Sequence, residues 1–476
     1  MHASRLLPTR RLNTATILAL VLALVLLKQI AWLVVIPIWQ TPDEPAHFHH
    51  VQYLGETGRL PVFDAHKPLT GDSEEVGHTA AQTGLNWVAY RPDHKVPVTD
   101  GPDGPLESRL REQPPLARTN DGNSSAANYP PGYYYPASLV YRAFWNGTVV
   151  DRVFAVRALS SLFILVTAAA AFFLSGALWP SRFVRACFAL LVGFQPMLSM
   201  AGVSVNNDAI LIALASLTAW TLAVQWQRGL SLGRGALLGL LVGLGMLSKP
   251  QMIVFLGLVP AAALAQALWR KEGALAWLRA MAAFGLVFAA CYAPWLWHCR
   301  QTYGMWMPSL LGAIPVMDVP LHSYVWHYMV KPGLTRTHDL WVVGFWANFG
   351  WLDTMVFDPA YRLVELFMWI GALGTWRWLR RRQTGWQVML VAVAAAAGFL
   401  AFLYMAEYQV FRPTGTPMLQ GRYWLPVLLP LMLIGFGGVL NLSPVGKQRV
   451  TAGVIAIVAL LFNALCLLRL IERYYV

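Results

Sequence analysis

Charge is scarce in this chain. Only 12% of its 476 residues are Asp, Glu, Lys or Arg, where a soluble domain carries about a quarter. That shortage excludes an ordinary soluble globular fold. Hydrophobic residues make up 57% of the chain and mean hydropathy is +0.48. Several apolar runs reach the ~18 residues that a spanning helix needs. Cysteine is scarce as well, with only Cys187, Cys291, Cys299 and Cys466. Cys291 and Cys299 fall on one predicted helix, about 12 Å apart at ~1.5 Å per residue, too far for a disulfide. Neither a disulfide framework nor a zinc spacing is present. No Walker or Rossmann glycine motif offers a nucleotide site. Internal repeats and low-complexity tracts are also absent.

What is present is a series of apolar runs. They predict an all-α polytopic membrane protein, one transmembrane domain over 1–476, with eleven spans. These are roughly 15–38, 153–178, 184–202, 208–226, 235–248, 252–269, 280–298, 362–379, 386–406, 424–441 and 450–470. The first run is longer than the apolar core of a signal peptide, and no small-x-small cleavage site follows it, so it reads as an uncleaved span. Its flank carries Arg5, Arg10 and Arg11. Every second connection is basic in the same way: Arg182 and Arg185; Arg228 and Arg234; Arg270, Lys271 and Arg279; Arg377 and Arg380 to Arg382; Lys447 and Arg449. This bias places the N-terminus in the cytoplasm. It also accounts for the net charge of +13 without nucleic acid. The opposite side then receives two large loops, 39–150 and 299–361. Long ordered loops are usually functional.

Polar motifs gather on that outer side. In "TPDEPAHF", Thr41, Pro42 and Glu44 have the spacing of a capping box, with Thr41 at the N-cap. Asp43 would then be free and held ionised by the helix N-terminus. Asp43, His47, His50 and Leu54 share one helical face, where the histidines could orient a polar substrate. No HExxH pattern or second ligand cluster accompanies them, so a divalent metal is possible but not favoured. "NYPPGYYYPASL" brings Tyr133 and Tyr134 back toward the membrane, as an aromatic belt or as a wall over a sugar or lipid. In "SVNNDAI", Asn206 or Asn207 can cap a helix and Asp208 suits its first turn. The same three residues could bind hydroxyls.

Two cations stand out because they oppose the inside bias. Lys249 in "MLSKPQM" follows a short span of about 14 residues, roughly 21 Å, and so sits below the headgroups. A cation there is a functional candidate. Arg422 in "MLQGRYWLP" opens a later span, flanked by Gln420 and Tyr423. Either could hold a lipid phosphate. "FWANFGWLD" (345–353) and His322, His327 and His338 are weaker signals.

An outer acid beside two cations suits group transfer from a lipid-linked donor. Asp43 would act as general base, and Lys249 and Arg422 would stabilise a phosphate leaving group. Taken in order, "TPDEPAHF", "YPPGYYYP", "SVNNDA", "SKP", "FWANFGW" and "QGRYWLP" resemble the motif series of an uncharacterised bacterial integral membrane family grouped with the GT-C glycosyltransferases. The resemblance runs over nearly the whole chain. It implies a GT-C bundle in the bacterial inner membrane, with a large first periplasmic loop containing interfacial helices. It also implies a polyprenyl-phosphate-sugar donor and a glycan or lipid acceptor in the cell envelope. The family's expected base matches Asp43, with Glu44 beside it. A transporter or flippase for a lipid-linked glycan would use the same cations and aromatics, and an O-antigen-type ligase or polymerase would share the donor but transfer a whole glycan.

Overall fold

The computed structural model describes residues 13–64, 71–84, 98–99, 105–307, 319–333, 338–415, 417–444 and 446–476. Arg5, Arg10 and Arg11 lie outside the described residues. The chain is a bundle of helices. Helix α1 (Thr14–Val35) leads into four short helices: α2 (Glu44–Thr57), α3 (Glu74–Gln82), α4 (Leu106–Arg111) and α5 (Tyr134–Ala143). Long helices follow: α6 (Val149–Ser175), the bent pair α7 (Arg182–Gly193) and α8 (Pro196–Gly202), α9 (Asp208–Arg228), α10 (Leu232–Ser248), α11 (Ile253–Arg270) and α12 (Ala274–Tyr303). The chain closes with α13 (Asp358–Arg380), α14 (Trp386–Thr414), α15 (Leu428–Leu442) and α16 (Gln448–Tyr475). Strands β1 (Asn348–Phe349) and β2 (Thr354–Met355) pair antiparallel before α13.

All eleven expected spans fall on helices, but the count of clear spans is lower. Among the described residues, eight helices are long and apolar enough to cross a membrane, or nine if α7 and α8 form one span. That pair is bent by 64°. Pro196 has no N–H to continue α7, and the Gln195 side chain instead accepts from the Leu198 amide at 2.5 Å, capping α8. The other two shortfalls are equally physical. Helix α10 has only 17 residues. Helix α13 carries Arg362, Glu365, Arg377 and Arg380.

Glycine sets the closest packing. Gly235, Gly239 and Gly243 form one stripe on α10 that lies directly on α12. An added Cβ at Gly235 or Gly239 would strike the backbone of Ala280 or Phe284. The α13–α15 contact repeats the device, with Gly371 and Gly374 against Gly435 and Gly438. Small residues at such spacing let helix axes approach closely in lipid.

Four of the basic connections, near residues 180, 230, 274 and 381, meet at one end of the bundle. There Gln227 donates to the Ala177 carbonyl at 3.1 Å and Arg270 to the Trp226 carbonyl at 2.7 Å. The Arg382 guanidinium sits 5.7 and 5.5 Å from the Trp269 and Trp386 rings. The other end is organised by a single carboxylate, that of Glu44, which is fully buried. It accepts from Arg157 Nε at 2.8 Å and Nη2 at 2.6 Å. It also accepts from the Trp39 amide at 3.1 Å and the Val205 amide at 3.0 Å. Arg157, likewise fully buried in α6, donates to the carbonyls of Ile36 and Pro37 at 2.7 and 2.9 Å.

This pairing overturns the expected capping box. Asp43, not Thr41, is the residue before α2. Its backbone is left-handed (φ 63°), and its side chain caps nothing. Glu44 cannot fold back as a cap because Arg157 and two amides claim its oxygens. The Thr41 hydroxyl pairs with Ser204 at 2.8 Å instead. Trp39 is also left-handed, at φ 64°. A bulky residue in that region is uncommon and costs roughly 1–2 kcal/mol, here opposed by the buried pair.

Arg157→Met would strand the Glu44 charge in the core. Breaking a buried pair costs about 3–5 kcal/mol, so heat-induced unfolding in detergent should fall sharply. Adding Glu44→Gln should restore much of that loss. A single variant as stable as wild type would contradict the dependence on this pair.

Candidate active site

Four segments far apart in sequence converge at the Glu44 end. The first is the left-handed turn at Asp43. The second is the start of α9, where the Asn206 side chain accepts from the Asp208 amide at 2.9 Å and so fixes the first turn. Asn207, expected as an alternative cap, makes no capping bond. It donates to the Ser248 carbonyl at 3.0 Å and ties α9 to the end of α10. The third segment is the break between α10 and α11. Lys249 there is extended (φ −157°) because Pro250 follows it and disfavours helix at the preceding residue. The fourth is the 3₁₀ turn Gly421–Val427 ahead of α15. Gly421 packs against the backbone of Leu340, Gly344 and Phe345, where no Cβ would fit.

These segments bring two cations and two acids together. Arg422 Nη2 donates to Asp43 Oδ2 at 2.5 Å, and its Nε donates to Gln420 Oε1 at 2.7 Å. Lys249 Nζ donates to Asp208 Oδ1 at 2.5 Å. The Tyr129 and Tyr423 rings each lie 5.9 Å from the Lys249 ammonium. Arg422 and Lys249 are nearly buried, whereas the Asp43 side chain is 53% exposed. A narrow pocket of about 20 Å³ lies beside Arg422 and Asp208, lined by Pro42, Ser204, Asn206 and Asn348 together with Met197, Met200, Ala201 and Leu425. Burial opposes ionisation of Asp43, but the Arg422 charge outweighs it and holds the carboxyl below its usual range. Lys249 is therefore no snorkelling side chain reaching for headgroups. It is an enclosed cation with a carboxylate partner.

The aromatic motif forms the wall behind this cluster. His47 Nδ1 and the Tyr134 hydroxyl are 2.6 Å apart, and His50 stacks flat on Tyr134 with ring centres at 3.6 Å. His50 Nδ1 bonds the Ala126 carbonyl at 3.0 Å, and Tyr133 bonds Ser160 at 2.9 Å. His50, Tyr133 and Tyr134 have no exposed surface. They pack on one another and present nothing to a solute, unlike the substrate contacts the sequence suggested. Glu44 is sealed in the same way.

Several participants carried little sequence signal. Arg157 sits within a span, and an arginine there is a site candidate by its cost alone. Tyr129 and Asn348 lie inside the quoted motifs but have no distinctive spacing. Among the described residues, no three His, Cys, Asp or Glu side chains gather closely enough to share a metal ion.

Burial sets the titration of the wall. It lowers His47 and His49 to about 4 and His50 to about 3. The three stay neutral in the folded protein while the unfolded chain protonates near pH ~6.5. Stability is therefore full above that pH. It should fall from about pH 6.5 toward 4, by up to about 1.4 kcal/mol per pH unit for each histidine. Unfolding midpoints measured across that window check this. A flat profile would rule it out.

The comparisons with known proteins come from sequence and from structure. No curated protein matches the chain in sequence. The apo structure of ArnT from Cupriavidus metallidurans is similar at 13% identity and TM-score 0.50, covering 92% of this chain and 62% of ArnT. The undecaprenyl phosphate-bound ArnT structure gives 13% and 0.49, covering 95% and 76%. The apo oligosaccharyltransferase of Archaeoglobus fulgidus gives 13% and 0.47, covering 98% and 56%. The chain thus spans about six-tenths of the length of the apo structures it matches. The likeness to apo ArnT shows the fold: an all-α polytopic bundle of GT-C type. Residues 26–431, most of the sequence, match a family described as "Predicted membrane protein (DUF2142)", and the chain belongs to that family.

Proposed function

We propose that this protein is a GT-C-type membrane glycosyltransferase. It moves a sugar from a polyprenyl-phosphate donor to an acceptor hydroxyl at the Asp43 end of the bundle. The observation that carries the reading is the convergence of Arg422 and Lys249, both nearly buried, with the half-exposed acid Asp43. Two enclosed cations are suited to a phosphate, and an exposed ionised carboxylate to a hydroxyl. The basic connections at the opposite end support a cytoplasmic placement for that end. The site would then face the periplasm of a bacterial inner membrane.

In the transfer, the acceptor oxygen bonds the sugar's anomeric carbon while the bond from that carbon to the phosphate oxygen breaks. The bonding pair leaves on that oxygen as polyprenyl phosphate, and Asp43 takes the acceptor proton. Lys249 and Arg422 stabilise the charge that grows on the leaving phosphate. Asp208 and Gln420 hold the two cations in place. Asn206 and Asn348 line the narrow pocket beside Arg422, and Tyr129 and Tyr423 flank Lys249. His47, His50, Tyr133 and Tyr134 support this surface from behind, and Glu44 positions Asp43 through the backbone they share.

Purified protein in lipid, given a polyprenyl-phosphate sugar and envelope glycan or lipid acceptors, should form a glycosylated product. Asp43→Asn should lower that rate by about 10²–10⁴. Arg422→Met and Lys249→Met should each lower it by about 10² or more. Wild-type rates in Asp43→Asn would refute the base assignment. Movement of lipid between leaflets with no transfer would favour a flippase.

Because the proposed site supplies its own two cations, transfer should persist in excess chelator. Loss of transfer in chelator, restored by a divalent ion, would require a metal in the scheme.

A further inference from the structure

Both cations of the site are already engaged, but not equivalently. The Lys249 ammonium carries three N–H groups, and the bond described for it uses one, to Asp208. It can add a phosphate oxygen without releasing its partner. Arg422 is held at two of its nitrogens. Its Nε is held by Gln420 and its Nη2 by Asp43. A guanidinium grips phosphate through two parallel N–H bonds. Both paired edges of the guanidinium include Nη2, so Asp43 competes there with a phosphate.

One partner of the Asp43–Arg422 pair is free to move. Arg422 is nearly buried, fixed by Gln420, with its guanidinium 5.6 Å from the Tyr423 ring. The Asp43 side chain is half-exposed, and among the described residues its carboxylate bonds only Arg422. Water reaches the Asp43 side of this pair and screens it, whereas a phosphate brings two oxygens and at least an equal charge.

We infer that the Asp43–Arg422 pair is a latch that a lipid-linked phosphate opens, displacing Asp43 from Arg422 and turning it toward the acceptor. This rests on the proposed transfer and adds an order to it. The base is neutralised while the site is empty and becomes available only after the phosphate arrives. Donor therefore binds first, and water in an empty site meets no free base.

The latch makes an unusual demand on the base variant. Removing the Asp43 carboxylate removes a competitor of phosphate, so Asp43→Asn should bind undecaprenyl phosphate more tightly than wild type. The expected gain is about three- to tenfold. Asparagine and glycine both accept the left-handed backbone at this position, so Asp43→Gly serves as a second variant with the same expectation. Arg422→Gln should weaken binding. The measurement is equilibrium binding to the full chain in nanodiscs, with inorganic phosphate run in parallel.

Equal or weaker binding of undecaprenyl phosphate by both Asp43 variants would overturn the latch while leaving the transfer reading intact. Absence of binding to wild type and variants alike would overturn both. Tightening with inorganic phosphate but not with the lipid would overturn the lipid source.

Discussion

The site end of this molecule depends on the Glu44–Arg157 pair. Two fully buried charges lie in contact, and every hydrogen bond they make beyond each other reaches a backbone group in another segment. Arg157 holds the exit of α1, and Glu44 holds Trp39 and the turn before α9. Neither charge is stable in the core without the other, because an unpaired buried ion is among the costliest features a fold can carry. The pair therefore fixes where α1, α2, α6 and α9 meet. Asp43 and Asn206 are each one residue from an anchored position, so their placement follows from it.

This separates two roles that adjacent acids in "PDEP" could share. Glu44 is structural and sealed. Asp43, one residue earlier on a left-handed turn, points out and meets Arg422. The left-handed backbone makes the separation possible, since a helical residue at 43 would carry its side chain in another direction. Asparagine and aspartate tolerate this conformation better than most residues.

Much of the architecture was legible in the sequence because lipid imposes simple rules. Apolar length marks helices, and basic residues mark one set of connections. The span before Lys249 is short, as expected, and the cations that broke the charge bias proved to be enclosed. Three things were not legible. The capping box failed because Arg157, more than a hundred residues away, claims the glutamate. The bend between α7 and α8 was hidden because one proline in an apolar run does not reveal its angle. The histidines and tyrosines looked like a binding face because spacing reports which residues share a side of a helix. It cannot report that another helix covers that side.

The two ion pairs of the site also differ in how far they reach along the chain. Lys249 and Asp208 are 41 positions apart, just past the end of α10 and at the start of α9, whereas Arg422 and Asp43 are 379 apart. During synthesis the first pair can close as soon as α9 and α10 are in place. Asp43 must wait for the 379 positions up to Arg422. The site is thus assembled from both ends of the polypeptide. A chain stalled before residue 421 would hold its fold-determining core pair and its Lys249 pair, yet leave the Asp43 carboxylate unmatched.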